Sequence, residues 1–264
     1  MKADSLHLLA LVALTISATN SLRPPAISAS SQISLGHWQT PPLVAPLNGS
    51  SEDCSAAKFS QLMFDGKLTE ALAEGKALVA CNRRIGKPGQ AMSPAELTAT
   101  AMVGYWLCSN AQILAMMNKP SEAQSSLSEG TEWLKKYTDT PLVNWQAIVA
   151  ETKGFLLEKQ GDLATAKDVY RDCYGYCQDR LALIYLKEGK RDLARDTLAG
   201  VKTPTDYYVL GALSEASGDT KSARISYEVG IRLMGRDRPP NPQMPHYFAE
   251  HQTLVEASKR LAAK

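Results

Sequence analysis

The chain has 264 residues, 44% of them hydrophobic, and 29 Lys and Arg against 27 Asp and Glu leave a formal net charge of only +2. A balance so near neutrality, with no basic run, gives no electrostatic footprint for nucleic acid. Beyond the first two dozen residues no stretch approaches the ~20 apolar residues needed to span a bilayer, so a membrane span is not expected once that leader is removed.

Residues 1–20 read as an export signal. Lys2 opens it, Leu8 to Ile16 forms a short apolar core and small residues follow, with cleavage after Ala18 or as late as Ala29. An uncleaved anchor and, last, a buried amphipathic helix are the alternatives. Residues 21–51 read as a linker, because Pro24-Pro25, Pro41-Pro42, Pro46 and the run Ser28-Ala29-Ser30-Ser31 deny it helical periodicity. Trp38 is either a docking point for the folded part or a lone aromatic in a tether.

The folded region runs from Glu52 and opens with a hairpin. Phe59, Leu62 and Met63 lead to Gly66, Ala71 follows five residues later, and Leu72, Leu78 and Val79 continue the apolar face. After a loop over Asn82 to Pro94, Ala101 to Met117 reads as a first helix. Asn118 then stands in for the turn glycine, with Ala123 five and Leu127 nine residues on. From Ala147 to Leu233 the pattern becomes regular. Gly161, Gly189 and Gly218 stand 189 − 161 = 28 and 218 − 189 = 29 residues apart, each followed after five residues by Ala166, Ala194 or Ala223 and after nine by Tyr170, Leu198 or Tyr227. A fixed period of this size marks stacked repeats. Each glycine falls where one helix must stop, Asp162 and Asp219 are placed to cap the returning helix, and the alanines let two antiparallel helices approach. Arg236 to Pro245 is a proline-rich break (residues 235–245), and 246–264 reads as a closing helix with Tyr247, His251, Leu254, Ser258 and Leu261 on one face.

Gly154 and Leu157 with Ala166 and Tyr170, Ala182 and Tyr185 with Ala194 and Leu198, and Gly211 with Ala223 and Tyr227 give this region a pattern that resembles the tetratricopeptide repeat family. The early Trp position of that pattern holds Ala150, Gln178 and Tyr207 here, and Ser214 stands where an aromatic is expected. The resemblance implies an all-α, right-handed α-solenoid of about five helix-turn-helix repeats over residues 52–234, with a C-terminal capping helix. It also implies a concave wall lined by the first helices. Carried onto this chain, the partner-binding positions are Tyr105, Gln112, Met116, Ile148, Glu151, Phe155, Glu158, Tyr176, Asp179, Leu183, Tyr208 and Glu215. Such a wall is apolar and acidic, so an extended protein or peptide segment with apolar anchors and basic residues is the expected partner. The same residues are alternatively core between hairpins. The Lys and Asn set with which chaperone-binding relatives hold a carboxylate is absent.

If the chain is exported, its five cysteines meet an oxidising compartment. Cys54 and Cys81 fall at the open end of the first hairpin, and Cys173 and Cys177 flank a bend at Gly175, so these two pairs are the expected disulfides and Cys108 is left free. The alternative is five small buried apolar residues. No motif for chemistry stands out. His246, Glu250 and His251 share a helix without the His-Glu-x-x-His order of a zinc protease, and no phosphate loop or nucleophile elbow is present. The expectation is a non-catalytic interaction scaffold of the cell envelope or exterior with no metal or cofactor; the alternatives are a structural subunit of an envelope assembly or secretion complex and, third, an enzyme.

Overall fold

Five turns of one construction set the architecture. Gly66, Gly161, Gly189 and Gly218 hold φ between +69° and +83°, and Asn118 holds +58°. In each turn the left-handed residue donates its N–H to the carbonyl three residues back, and the next residue donates to the carbonyl five back, as in Gly161 to Glu158 and Asp162 to Leu157. This pair of bonds satisfies the last carbonyls of one helix while reversing the chain. Asn118 is the single side chain at such a turn, matching the tolerance of Asn for this conformation.

The computed structural model describes residues 54–86, 93–137, 145–173, 176–198, 200, 203–234 and 244–263, all within one compact unit. The expected export segment, the linker with Trp38 and most of the proline-rich break lie outside them. The described residues are all-α. The turns join α1 (Ala57–Phe64) to α2 (Leu68–Ile85), α3 (Pro94–Met116) to α4 (Pro120–Tyr137), α5 (Trp145–Gln160) to α6 (Leu163–Arg171), α7 (Gln178–Lys187) to α8 (Arg191–Thr197) and α9 (Pro204–Ala216) to α10 (Thr220–Leu233), and α11 (Pro245–Ala262) follows.

Local chemistry fixes the helix starts. Asp162 and Asp219 accept the N–H of Thr165 and Ser222, as their positions after the turn glycines predict. Ser93 with Glu96 and Thr203 with Asp206 close reciprocal capping boxes ahead of Pro94 and Pro204. Helix α3 therefore begins well before the Ala101 expected from periodicity.

Within each hairpin a small residue on one helix receives a large one from the other. Ala71, Ala123, Ala166, Ala194 and Ala223 are fully buried. A side chain at Gly154 or Gly211 would collide with the ring of Tyr170 or Tyr227, so the glycine-to-tyrosine spacing read along the chain is a packed contact between the helices. Neighbouring hairpins then share core: α2 packs on α3, α3 and α4 on α5, α6 on α7, and α7 and α8 on α9. One core gathers Phe59, Trp106, Ile113, Leu134 and Phe248, a second Tyr170, Ile184, Ala194 and Val209, and a third Ala223, Tyr227, Leu254 and Ala257. Each large side chain so buried contributes about 1.5–3 kcal/mol before entropy is counted.

Two disulfides link Cys54 to Cys81 and Cys173 to Cys177, with Cα separations of 5.8 and 5.7 Å, and Cys108 is a buried free thiol. The first staples the open end of the first hairpin, and the second closes the step from α6 to α7. No helix among the described residues is long and apolar enough to cross a membrane.

The last helix departs from the expected cap. Its C-terminal half does pack on α9 and α10 through Leu254, Ala257 and Leu261. Its N-terminal half continues past them along the first helices of the earlier hairpins, with Met244, His246 and Phe248 buried. Its other face, with Ala249, Gln252, Thr253, Glu256 and Lys259, stays exposed, and the polar groups among the inward residues find partners on the hairpins that define the site.

Candidate functional site

Helix α11 meets the first helix of every hairpin. Its Phe248 and His251 pack edge-on against Phe64 of α1, with ring centroids 4.9 and 5.4 Å apart. Gln112 Oε1 on α3 accepts from the backbone N–H of His246 at 3.2 Å and lies 2.9 Å from His246 Nδ1. Glu151 and Phe155 come from α5: Tyr247 donates its hydroxyl to Glu151 at 3.2 Å, and the Phe155 ring lies 5.6 Å from the His246 ring. Asp179 on α7 lies 3.3 Å from the same hydroxyl, whose single proton it shares with Glu151, and the neighbouring Arg180 pairs with Glu250. Thr205 on α9 donates to the same Glu250, and Glu215 further along α9 pairs with Arg260.

Five of the twelve expected wall residues meet the chain's own last helix, and the others do not. Gln112, Glu151, Phe155, Asp179 and Glu215 touch α11 directly. Glu158 stands one step behind, bound to Arg180 at 2.6 Å, to the Tyr170 hydroxyl at 2.8 Å and to Lys187 at 3.4 Å. Tyr105, Met116, Ile148, Leu183 and Tyr208 are packed among the hairpins. Only Tyr176, 61% exposed at the head of α7, stands open.

The electrostatics follow from this closure. Arg180 lies over the Phe155 ring between Glu158 and Glu250, and the three side chains are only 4%, 6% and 11% exposed. Burial pushes the Glu158 carboxyl up, but the charges of Arg180 and Lys187 more than offset that and hold it below the ordinary glutamate value. Asp179 has no such cation in hydrogen-bond reach. Burial, reinforced by the nearby Asp206 and Glu151 charges, raises it to about 7, although the Thr203 hydroxyl donates to it at 2.9 Å. Burial lowers the pKa of His246, and the nearby Glu151 carboxylate works against that shift. Its Nδ1 lies beside the Gln112 amide oxygen and its Nε2 lies 3.2 Å from Glu151 Oε1.

The three residues of α11 weighed as metal ligands face different partners: His246 meets Gln112 and Glu151, Glu250 meets Arg180 and Thr205, and His251 meets Phe64. Among the described residues no group of three His, Cys, Asp or Glu side chains is placed to hold a metal.

Sequence reasoning missed Arg180, Thr205 and the inward polar roles of His246 and Glu250, although it placed Tyr247, His251, Leu254 and Leu261 on the packed face of α11. One signal was available. The triad Gly154, Glu158 and Tyr170 recurs as Gly211, Glu215 and Tyr227, each displaced by 211 − 154 = 57 residues, two periods of the repeat. In both copies the tyrosine hydroxyl donates to the glutamate twelve residues earlier, and the next element supplies an arginine, Arg180 or Arg260. Compared with models of known families, with curated proteins and with solved structures, the chain matches none.

Proposed function

We propose that this protein is a non-catalytic interaction scaffold of tetratricopeptide-like hairpins, a right-handed solenoid that works in the cell envelope or outside the cell and engages a protein or peptide through the wall formed by its first helices. One observation carries the reading: four first helices present side chains to a single helical segment and meet it by specific pairing, Gln112 with His246, Glu151 and Asp179 with Tyr247, Arg180 with Glu250 and Glu215 with Arg260. A wall meant only as core would present apolar groups there, because buried polar pairs add selectivity of fit more than stability. The two disulfides and the leader-like first residues support export.

A second reading, a structural subunit of an envelope assembly, is favoured by two apolar side chains on the second helices, Leu193 of α8 and Ile225 of α10, which are 49% and 52% exposed. Site-specific photo-crosslinkers at Tyr176, Leu193 and Ile225 in intact cells separate the two. A discrete adduct from Tyr176 supports the wall. Adducts confined to Leu193 and Ile225 support the structural subunit, and adducts from none of the three refute both.

A further inference from the structure

We propose that the groove between α8 and the end of α9 is a docking site for a protein segment that carries a carboxylate next to an apolar side chain. The groove uses none of the expected wall positions and takes a ligand of the opposite charge. It includes Leu193, so the inference rests on the second reading above and characterises the partner that reading requires.

The repeat itself identifies the gap. The residue after the buried alanine of each second helix is Leu72, Gln124, Lys167 and Arg195 in the first four hairpins, and the residue ahead of the left-handed turn in the next hairpin is Met117, Gln160, Glu188 and Ser217. Three of these junctions are matched. Leu72 and Met117 belong to one apolar core, Gln124 and Gln160 line one recess, and Lys167 reaches Glu188 at 2.5 Å with both side chains largely covered. The fourth junction is not. Arg195 and Ser217 both line the groove, but the serine hydroxyl donates back to the carbonyl of Ser214. Arg195 is left with Asp192 on its own helix, in a pair whose side chains are 59% and 94% exposed, and such a pair holds a guanidinium only weakly. Because α8 has only seven residues, it leaves an open volume of about 650 Å³ against α9.

The lining states the ligand. Leu193 and Leu213 supply apolar surface, and Lys190, Arg191 and Arg195 set three cations against the one carboxylate of Asp192. Glu188 engages Lys190 at 2.7 Å, so the excess positive charge lies on Arg191 and Arg195. A carboxylate entering here takes the place that Glu188 has at the preceding junction and forms charge-assisted hydrogen bonds with guanidinium. An apolar neighbour laid on the half-exposed Leu193 leaves water with it. A basic segment is repelled, which makes the site selective.

The test uses the full-length chain. A phage-displayed library of random twelve-residue peptides is selected against it, and the peptides recovered are titrated by fluorescence anisotropy against the parent, Arg195→Glu, Ser217→Glu and Tyr176→Ala chains. Ser217→Glu supplies from within the carboxylate that the repeat has at Glu188, so it fills the groove without removing a cation. Both groove substitutions fall at exposed positions and leave the fold intact, which thermal unfolding verifies. The expected binders carry Glu or Asp beside a large apolar residue, bind at least tenfold more weakly to Arg195→Glu and to Ser217→Glu, and bind Tyr176→Ala as they bind the parent. No saturable binder, or binders whose affinity ignores both groove substitutions, overturns the proposal. An adduct from Leu193 in cells that survives Arg195→Glu keeps the structural-subunit reading and overturns this site, so the two fail separately.

Discussion

Replacing Arg180 with leucine should be among the most damaging single changes in the protein, and its cost should depend on pH. The guanidinium is almost fully buried between Glu158 and Glu250. In Arg180→Leu, Glu158 keeps Lys187 and the Tyr170 hydroxyl. Glu250 keeps only the Thr205 hydroxyl. A buried carboxylate stripped of its counter-ion costs about 3–5 kcal/mol, a large part of the 5–15 kcal/mol that holds a typical domain together. For a folded region of roughly 200 residues that corresponds to a fall of about 6–20 °C in Tm. The stranded carboxylate escapes the penalty by taking a proton, so the loss at pH 7.5 should shrink by at least half at pH 5, and adding Glu250→Gln to Arg180→Leu should restore most of the stability at pH 7.5. Circular dichroism at 222 nm during thermal and urea unfolding at both pH values gives the answer. A loss below about 1 kcal/mol, or one equal at the two pH values, would refute the claim that the pair is desolvated beneath α11.

Asp179 and His246 should make opposite contributions to the pH dependence of stability. Asp179 is raised to about 7 in the fold, so it contributes stability that is full below its unfolded value near 4 and lost as pH rises to 7; His246 is lowered, so its contribution is present above about 6.5 and lost as pH falls below that. Asp179→Asn removes the first slope, and its urea midpoint relative to the parent should therefore drop progressively from pH 6.5 to 4.5. Gly154→Ala and Gly211→Ala push a methyl into Tyr170 and Tyr227 and should each cost about 1–3 kcal/mol by urea titration, although alanine is the better helix former by about 1 kcal/mol. Thiol titration of the unfolded, unreduced chain should find one reactive cysteine of the five, Cys108. Removing the Cys54–Cys81 link, which closes a separation of 27 residues, should cost about 3.5 kcal/mol, and removing Cys173–Cys177, with a separation of 4, about 2 kcal/mol.

The hairpins were legible because their determinants are local. A turn needs one residue that tolerates positive φ, and Gly66, Asn118, Gly161, Gly189 and Gly218 announce it; a close helix pair needs a small residue opposite a large one, and Gly154 with Tyr170 announces that. Asp162 and Asp219 are caps by the same local logic. The start of α3 was missed by several residues because its boundary is set by the Ser93–Glu96 capping box, whereas the apolar pattern only becomes periodic later. The cysteine pairs were legible because hairpin geometry brings the ends of α1 and α2 together and a bend brings Cys173 to Cys177.

Amino-acid order by itself determined the helices and their pairing into hairpins, since each depends on neighbours within about 30 positions. Only the tertiary structure decided what the first helices face. Periodicity shows that His246, Tyr247 and Glu250 belong to a helix, but their partners Gln112, Glu151, Asp179, Arg180 and Thr205 stand 45 to 134 positions away. A long-range pairing leaves no period in the sequence, because its geometry comes from the stacking of every hairpin in between. For the same reason Glu151, Glu158 and Asp179, which read as an open acidic rim, are buried groups engaged by Tyr247, Arg180 and Thr203.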